Sequence, residues 1–148
     1  MTVRDATADD IPALTGLLQE LFTQEAEFTP SPERQAAGLT AMLAAPDRNV
    51  VLLAERGSTI LGMVTLLIVT STALGRPAAW LEDMVVAEGA QGLGIGRRLI
   101  DAALARCRRD GIARVTLLTD HDNHRAHEFY RDAGFERSTM VAFRRTIE

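Results

Sequence analysis

Apolar positions recur along this chain at two spacings, and the two mark different elements. Ile11, Leu14, Leu17, Leu18 and Leu21 follow a helical period. Thr7 before them is a capping residue, and Asp9 and Asp10 stand where a helix dipole favours negative charge. A second helix is expected from about Pro32 to Ala44, with Leu39, Met42 and Leu43 inward. Thr29-Pro30-Ser31-Pro32 between the two reads as a turn, too short for a domain linker. A long helix from about Gly94 to Arg109 carries a single apolar stripe at positions 95, 99, 100, 103, 104 and 107. Ala126, Phe129, Tyr130 and Ala133 form one face of a short helix that Gly134 is placed to cap. Runs rich in branched residues predict strands at Thr2 to Ala6, Val50 to Ala54, Ile60 to Thr70, Trp80 to Val86, Val115 to Thr119 and Thr139 to Thr146. The order βααβββαβαβ is that of an α/β (α+β) domain, a mixed central sheet flanked by helices, spanning residues 1–148.

Composition narrows the function classes. With 148 residues and no repeat or low-complexity segment, one domain is expected. The single cysteine, Cys107, cannot form an internal disulfide and favours a reducing compartment, and its place on the helix stripe makes it a core residue. The longest apolar run, Ile60 to Val69, is interrupted by Gly62 and Thr65 and falls far short of the roughly 20 residues a membrane span needs. The first residues turn acidic at Asp5 without a signal-peptide core, so a cytoplasmic location away from membranes is expected. All sixteen basic residues are Arg, and the net charge of −4 argues against nucleic acid as a partner. It suits cationic partners better.

Chemistry concentrates in Val85-Val86-Ala87-Glu88-Gly89-Ala90-Gln91-Gly92-Leu93-Gly94-Ile95-Gly96-Arg97-Arg98, where a strand ends, glycines follow and a helix begins. Glycines let the backbone approach a ligand and aim successive N–H groups at it, and the helix start adds partial positive charge. Such a turn accepts a pyrophosphate, although it also serves as plain punctuation. The dinucleotide fingerprint fails because Leu99 stands where its last glycine belongs, and a Walker loop needs a lysine that the chain lacks.

Gln91-x-x-Gly94-x-Gly96 resembles the coenzyme A signature of the GNAT superfamily of N-acetyltransferases. Asn123, seven residues before Tyr130, and the segment Ala126-x-x-Phe129-Tyr130-x-x-Ala133-Gly134-Phe135 resemble that family's later motif, with Ala133 where a leucine is often found. The resemblance implies a co-substrate, acetyl-CoA, lying where the strands Trp80–Val86 and Val115–Thr119 splay apart. The pantetheine arm would pair with Met84, Val85 and Val86. The pyrophosphate would rest on the loop from Gln91 through Gly92, Leu93, Gly94, Ile95 and Gly96 to Arg97. Arg97 or Arg98 would face a phosphate or solvent. Asn123 would bond the arm, cap its helix, or both. Tyr130 matches the family's general acid for the thiolate, and its alternative is a core aromatic beside Phe129. Backbone N–H groups around Val85 would meet the oxyanion. A homodimer is one expected state, and no metal is expected.

Acetyl transfer to an amine needs a base as well. Trp80-Leu81-Glu82-Asp83-Met84 sets adjacent carboxylates in a strand, where alternation sends Glu82 and Asp83 to opposite faces and where charge is costly unless used or paired. Leu-Glu-Asp at this place resembles the diamine and polyamine acetyltransferases, and the glucosamine-phosphate acetyltransferases carry a similar Glu-Asp. Glu82 is therefore the expected base, directly or through water, with Asp83 second. The alternative is a structural carboxylate paired with an arginine. The acceptor pocket is expected at the N-terminal helix pair, where Glu25, Glu27 and Phe28 would favour a cationic amine. The expected activity is direct transfer from acetyl-CoA to a primary amine of a small cationic or amino-bearing metabolite in a ternary complex. Two alternatives stand beside it: a protein N-terminal or lysine acetyltransferase, and a non-catalytic acetyl-CoA-binding regulatory module. His121, His124 and His127 at spacings of three form only a weak metal motif.

Overall fold

The computed structural model describes residues 1–25 and 29–148, in two compact units, Met1–Leu118 and Thr119–Glu148. The first unit runs β1 (Thr2–Asp5), α1 (Ile11–Gln24), α2 (Pro32–Ala44), β2 (Asn49–Arg56), β3 (Thr59–Ser71), β4 (Arg76–Val86), α3 (Ile95–Arg109) and β5 (Val115–Leu117). Its five strands pair in chain order, β1 to β4 antiparallel and β4 with β5 parallel, which makes the mixed sheet that the order of elements predicts.

The helical periods read in the sequence are the faces that the helices bury. On one side of the sheet Leu14, Leu17, Leu18 and Leu39 of α1 and α2 pack against Val51, Leu53, Met63 and Val85. On the other side α3 buries Ile95, Leu99, Ile100, Ala103 and Cys107. Gly62 is what lets α3 come close. A Cβ built there would lie 2.9 Å from the Val85 carbonyl oxygen and 3.0 Å from Leu99 Cδ1. Entry into α1 differs from the expectation in detail. Thr7 heads a 3-10 turn, Ala8–Asp10, and not the α-helix itself. Its N–H donates to Asp10 Oδ2 at 2.7 Å, and Arg4 bridges Asp10 and Glu55 at 2.8 Å each. The Arg4 hydrogen bond is the main reason that the Asp10 carboxyl is held down to about 2. These contacts pin the turn before α1 to β1 and β2.

The second unit holds α4 (His124–Asp132). Asn123 Oδ1 accepts the Ala126 N–H at 3.1 Å, which caps the first turn. At the other end the N–H of Gly134 donates to the Arg131 carbonyl and that of Phe135 to the Tyr130 carbonyl, each at 2.9 Å. This is the Schellman pattern that a glycine after the helix makes possible. The strand expected from Thr139 to Thr146 is not formed. Strand backbone is satisfied only by a neighbouring strand, and among the described residues this unit contains none. Met140, Val141, Phe143 and Ile147 are accordingly exposed, Phe143 at 97%.

Candidate active site

β4 holds the two expected carboxylates, and two irregularities of pairing shape it. On the β3 side Thr65 stands opposite Asp83 and Leu66 opposite Leu81, so Glu82 is an extra residue with no partner. That is a β-bulge. On the β5 side the partners are Ala79 with Val115, Trp80 with Thr116 and Leu81 with Leu117, and there the pairing ends. β4 continues to Val86 without it. The N–H of Asp83 donates to Thr65 Oγ1 at 3.0 Å, and that of Ala87 to the Leu61 carbonyl at 2.8 Å, so both point toward β3. Alternation then turns the N–H groups of Met84 and Val86 to the open side, where an acyl or amide group can be hydrogen-bonded. The parallel pairing thus ends at Leu81, where β5 itself ends.

The bulge also corrects the expected orientation of the acid pair. Thr65 and Leu66 lie on opposite faces of β3, so their partners Asp83 and Leu81 lie on opposite faces of β4 although two residues apart. Simple alternation therefore does not hold through Glu82. Glu82 is exposed, whereas Asp83 is only 8% exposed. The Thr65 hydroxyl, itself buried, donates to Asp83 Oδ2 at 2.7 Å while accepting the Asp83 N–H, which clamps the carboxyl from below. Oδ1 has no hydrogen-bond partner among the described residues. Burial pushes the Asp83 carboxyl above its ordinary range; the Thr65 hydrogen bond opposes this and the nearby Glu82 charge adds to it. Neither Glu82 nor Asp83 forms an ion pair among the described residues, so the arginine-paired structural role is not what these carboxylates have.

After β4 the chain turns through glycines into α3. Gly94, the N-cap, has a left-handed φ of +78°, a conformation that glycine adopts without a Cβ penalty. The first helical hydrogen bond runs from the Arg98 N–H to the Gly94 carbonyl at 3.1 Å. Ahead of it the N–H groups of Gly92, Leu93, Gly94, Ile95 and Gly96 have no acceptor among the described residues. Free amides ahead of a helix N-terminus are the kind of group that can accept a phosphate. Arg97 is bonded to Asp101 at 3.1 Å, one turn on, and Arg98 is exposed with no ion pair among the described residues.

Asn123 and Tyr130 belong to the second unit. Asn123 is seen in its capping role. Tyr130 packs edge-on against Phe129 and Phe135, with ring centroids 5.1 and 5.6 Å away. Burial among these rings pushes its phenol up to about 12, so it is a proton donor at neutral pH. His124 and His127 meet ring to ring at 5.7 Å, and no group of three or more His, Cys, Asp or Glu among the described residues could hold a metal. Cys107 is buried, and burial raises its thiol away from reactivity. Of the expected acceptor residues, Glu25 follows α1 directly, and Glu27 and Phe28 lie outside the described residues.

Sequence reading missed three residues. Thr65 is the one polar side chain in a buried stretch of β3, a position that asks for a partner. Gly62, a lone glycine in a strand, signals close backbone approach. Trp80 was placed on its strand, but its exposure, at 38%, has no sequence signal.

Comparison with known proteins gives the family. The model of the Acetyltransferase (GNAT) family matches residues 12–135, which run across both units. The N-acetyltransferase YhfO of Bacillus subtilis (strain 168) is 32% identical over 145 residues, covering 94% of this chain and 92% of YhfO. A mycothiol acetyltransferase of Geodermatophilus obscurus is 46% identical over 57 residues, which are 38% of this chain and 18% of that protein. Among solved structures, an acetyltransferase from Agrobacterium tumefaciens str. C58 is similar at a TM-score of 0.84 and 30% identity, covering 99% of this chain and 100% of that one. No helix among the described residues is long and apolar enough to cross a membrane. The chain belongs to the GNAT acetyltransferase family and is an acetyl-CoA-dependent acyltransferase.

Proposed function

We propose that this chain, acting as one domain over residues 1–148, moves the acetyl group of acetyl-CoA onto a primary amine of a small cationic or amino-bearing metabolite. The observation that carries the reading is the β4 bulge. It presents the Glu82 carboxylate to solvent beside the buried Asp83, with no cation paired to either among the described residues, where the β4–β5 pairing ends. An ammonium fits a site that already holds uncompensated negative charge.

The amine and the thioester are held together, so no acetyl group is parked on the protein. Glu82 takes the proton from the ammonium, directly or through one water. The free amine attacks the thioester carbonyl, forming the C–N bond. The oxyanion that develops is met by outward amides of β4, Met84 and Val86 flanking Val85. The C–S bond then breaks, Tyr130 gives its proton to the departing thiolate, and the surplus proton shed by the new amide nitrogen restores the phenol. The coenzyme's pyrophosphate rests on the amides of residues 92–96, with Gln91 and Arg97 at the rim, and Met84 to Val86 pair with its arm. Asn123 bonds the arm with whatever capacity its cap leaves. Of the expected acceptor residues, Glu25 is kept in this reading.

A thiol-release assay with acetyl-CoA against polyamines, amino sugars, amino acids and peptides tests this. Turnover is expected with small amines. Glu82→Gln is expected to lower it by about 10²-fold and to move the acid-side limb of the pH profile, the limb on which a base must lose its proton. If Asp83→Asn moves that limb instead, the base is Asp83. Turnover on peptides alone would assign a protein acetyltransferase, and saturable acetyl-CoA binding without turnover would assign a regulatory module.

A further inference from the structure

Trp80 is the large exposed side chain of β4 that the reaction above leaves unused. It stands opposite Leu67, and Asp83 stands opposite Thr65. Leu67 and Thr65 are two apart on β3 and share a face, so Trp80 and Asp83 share the matching face of β4. Three residues apart on a regular strand they would lie on opposite faces; the extra residue Glu82 brings them to one side. This is the face that α1 and α2 cover, through Met63 and Val85 in the row above. Along the strands the cover thins over the large side chains, although Ala78 opposite Val69 stays buried. The row of Thr65 and Asp83 is still buried, whereas Trp80 in the next row is 38% exposed and Val69 beyond it 41%. An exposed indole therefore stands one row from Asp83 on the same face, with Glu82 in the bulge between them in sequence, and among the described residues neither carboxylate pairs with a cation and Asp83 Oδ1 has no hydrogen-bond partner.

An exposed tryptophan face attracts a cation through its ring quadrupole and covers alkyl carbon at the same time. We propose that Trp80 determines acceptor specificity: its indole and the carboxylates of Glu82 and Asp83 together take an organic cation, a primary ammonium borne on an alkyl chain or ring that lies against the indole. This rests on the reading of β4 as the amine-activating strand, and adds what the amine must carry. A neutral hydroxyl analogue of the same length lacks the charge that both the ring and the carboxylates recognise. A small amine without a carbon stem lacks the surface that the indole covers.

Trp80 is the sole tryptophan of the chain, so its emission reports from this spot alone. The probes are 1,5-diaminopentane and glucosamine, with 1,5-pentanediol as the neutral control. A saturable change of emission is expected with the amines and none with the diol. Trp80→Leu is expected to raise the KM of the accepted amine about 10-fold while leaving that of acetyl-CoA in place, and Trp80→Phe to recover most of the loss. Circular dichroism of each variant confirms that it folds. Emission that responds equally to the diol, or an amine KM unmoved by Trp80→Leu, overturns the proposal even if acetyl transfer proceeds. Emission that responds to amines without any turnover upholds the subsite and overturns instead the acetyl-transfer reading of β4.

Discussion

In residues 1–118 the helices lie on a sheet whose two faces are both buried, and in residues 119–148 the single helix is closed by its own ends. α1, α2 and α3 have apolar stripes pressed on β2, β3 and β4. α4 has Asn123 at one end and Gly134 with Phe135 at the other, and no residue from Thr119 onward is buried. The difference lies in where backbone hydrogen bonds can be found. A helix satisfies its own N–H and C=O groups once its ends are capped. A strand borrows its partners from elsewhere in the chain. Hence α4 forms where the strand expected at Thr139–Thr146 does not. The first unit holds its carboxylates by packing, Asp83 on Thr65, while the second holds Tyr130 by two neighbouring rings and a capped helix.

Three changes test this division, the largest effect first. Tyr130→Phe keeps the ring contacts and removes only the phenolic proton, so turnover is expected to fall by roughly 10²-fold with acetyl-CoA binding retained, as read by titration calorimetry. Unchanged turnover would take Tyr130 out of the reaction. The same residue has a pH signature. Its phenol ionises near 10 unfolded and about 12 folded, so its contribution to stability is full below pH 10 and is lost as pH rises toward 12. Tyr130→Phe should flatten the melting temperature across that window. Gly62→Ala comes second. The added Cβ would sit 2.9 Å from the Val85 carbonyl oxygen of β4 and 3.0 Å from Leu99 Cδ1 of α3, so β3 must shift against both, at a cost of about 1–3 kcal/mol in urea unfolding. Hydrogen exchange should quicken in β3, β4 and α3 but not in α4. Asn123→Ala is the smallest, about 1 kcal/mol, and should loosen only the first turn of α4, read as faster exchange at residues 124–127. Equal loosening of both units by either change would mean that they are not separately held.

Much of this was legible in the sequence, for reasons that differ by element. The α2 bounds, the α3 stripe and the glycine cap of α4 follow from patterns confined to one turn or one helix, and the chain forms them as read. The glycine loop was legible because a motif of fixed spacing carries it. The bulge at Glu82 was not, since nothing local distinguishes an unpaired Glu from its neighbours; its place is set by the register of β3. The clamp of Asp83 joins residues 18 apart and depends on that register as well. The terminal strand was legible as composition, but composition supplies no partner.

The bulge has a consequence for how β4 can vary. Residues 76–81 and 83–86 are two half-strands of opposite phase, with Glu82 as the joint. Deleting that one residue would do more than remove a carboxylate. It would close the bulge and leave Leu81 next to Asp83 by ordinary alternation, with each half keeping its register on β3 and Trp80 still opposite Leu67. A substitution within either half leaves the other in phase. The wall beside the carboxylates can therefore be recut, residue by residue, without shifting the stretch that leads into the glycine loop.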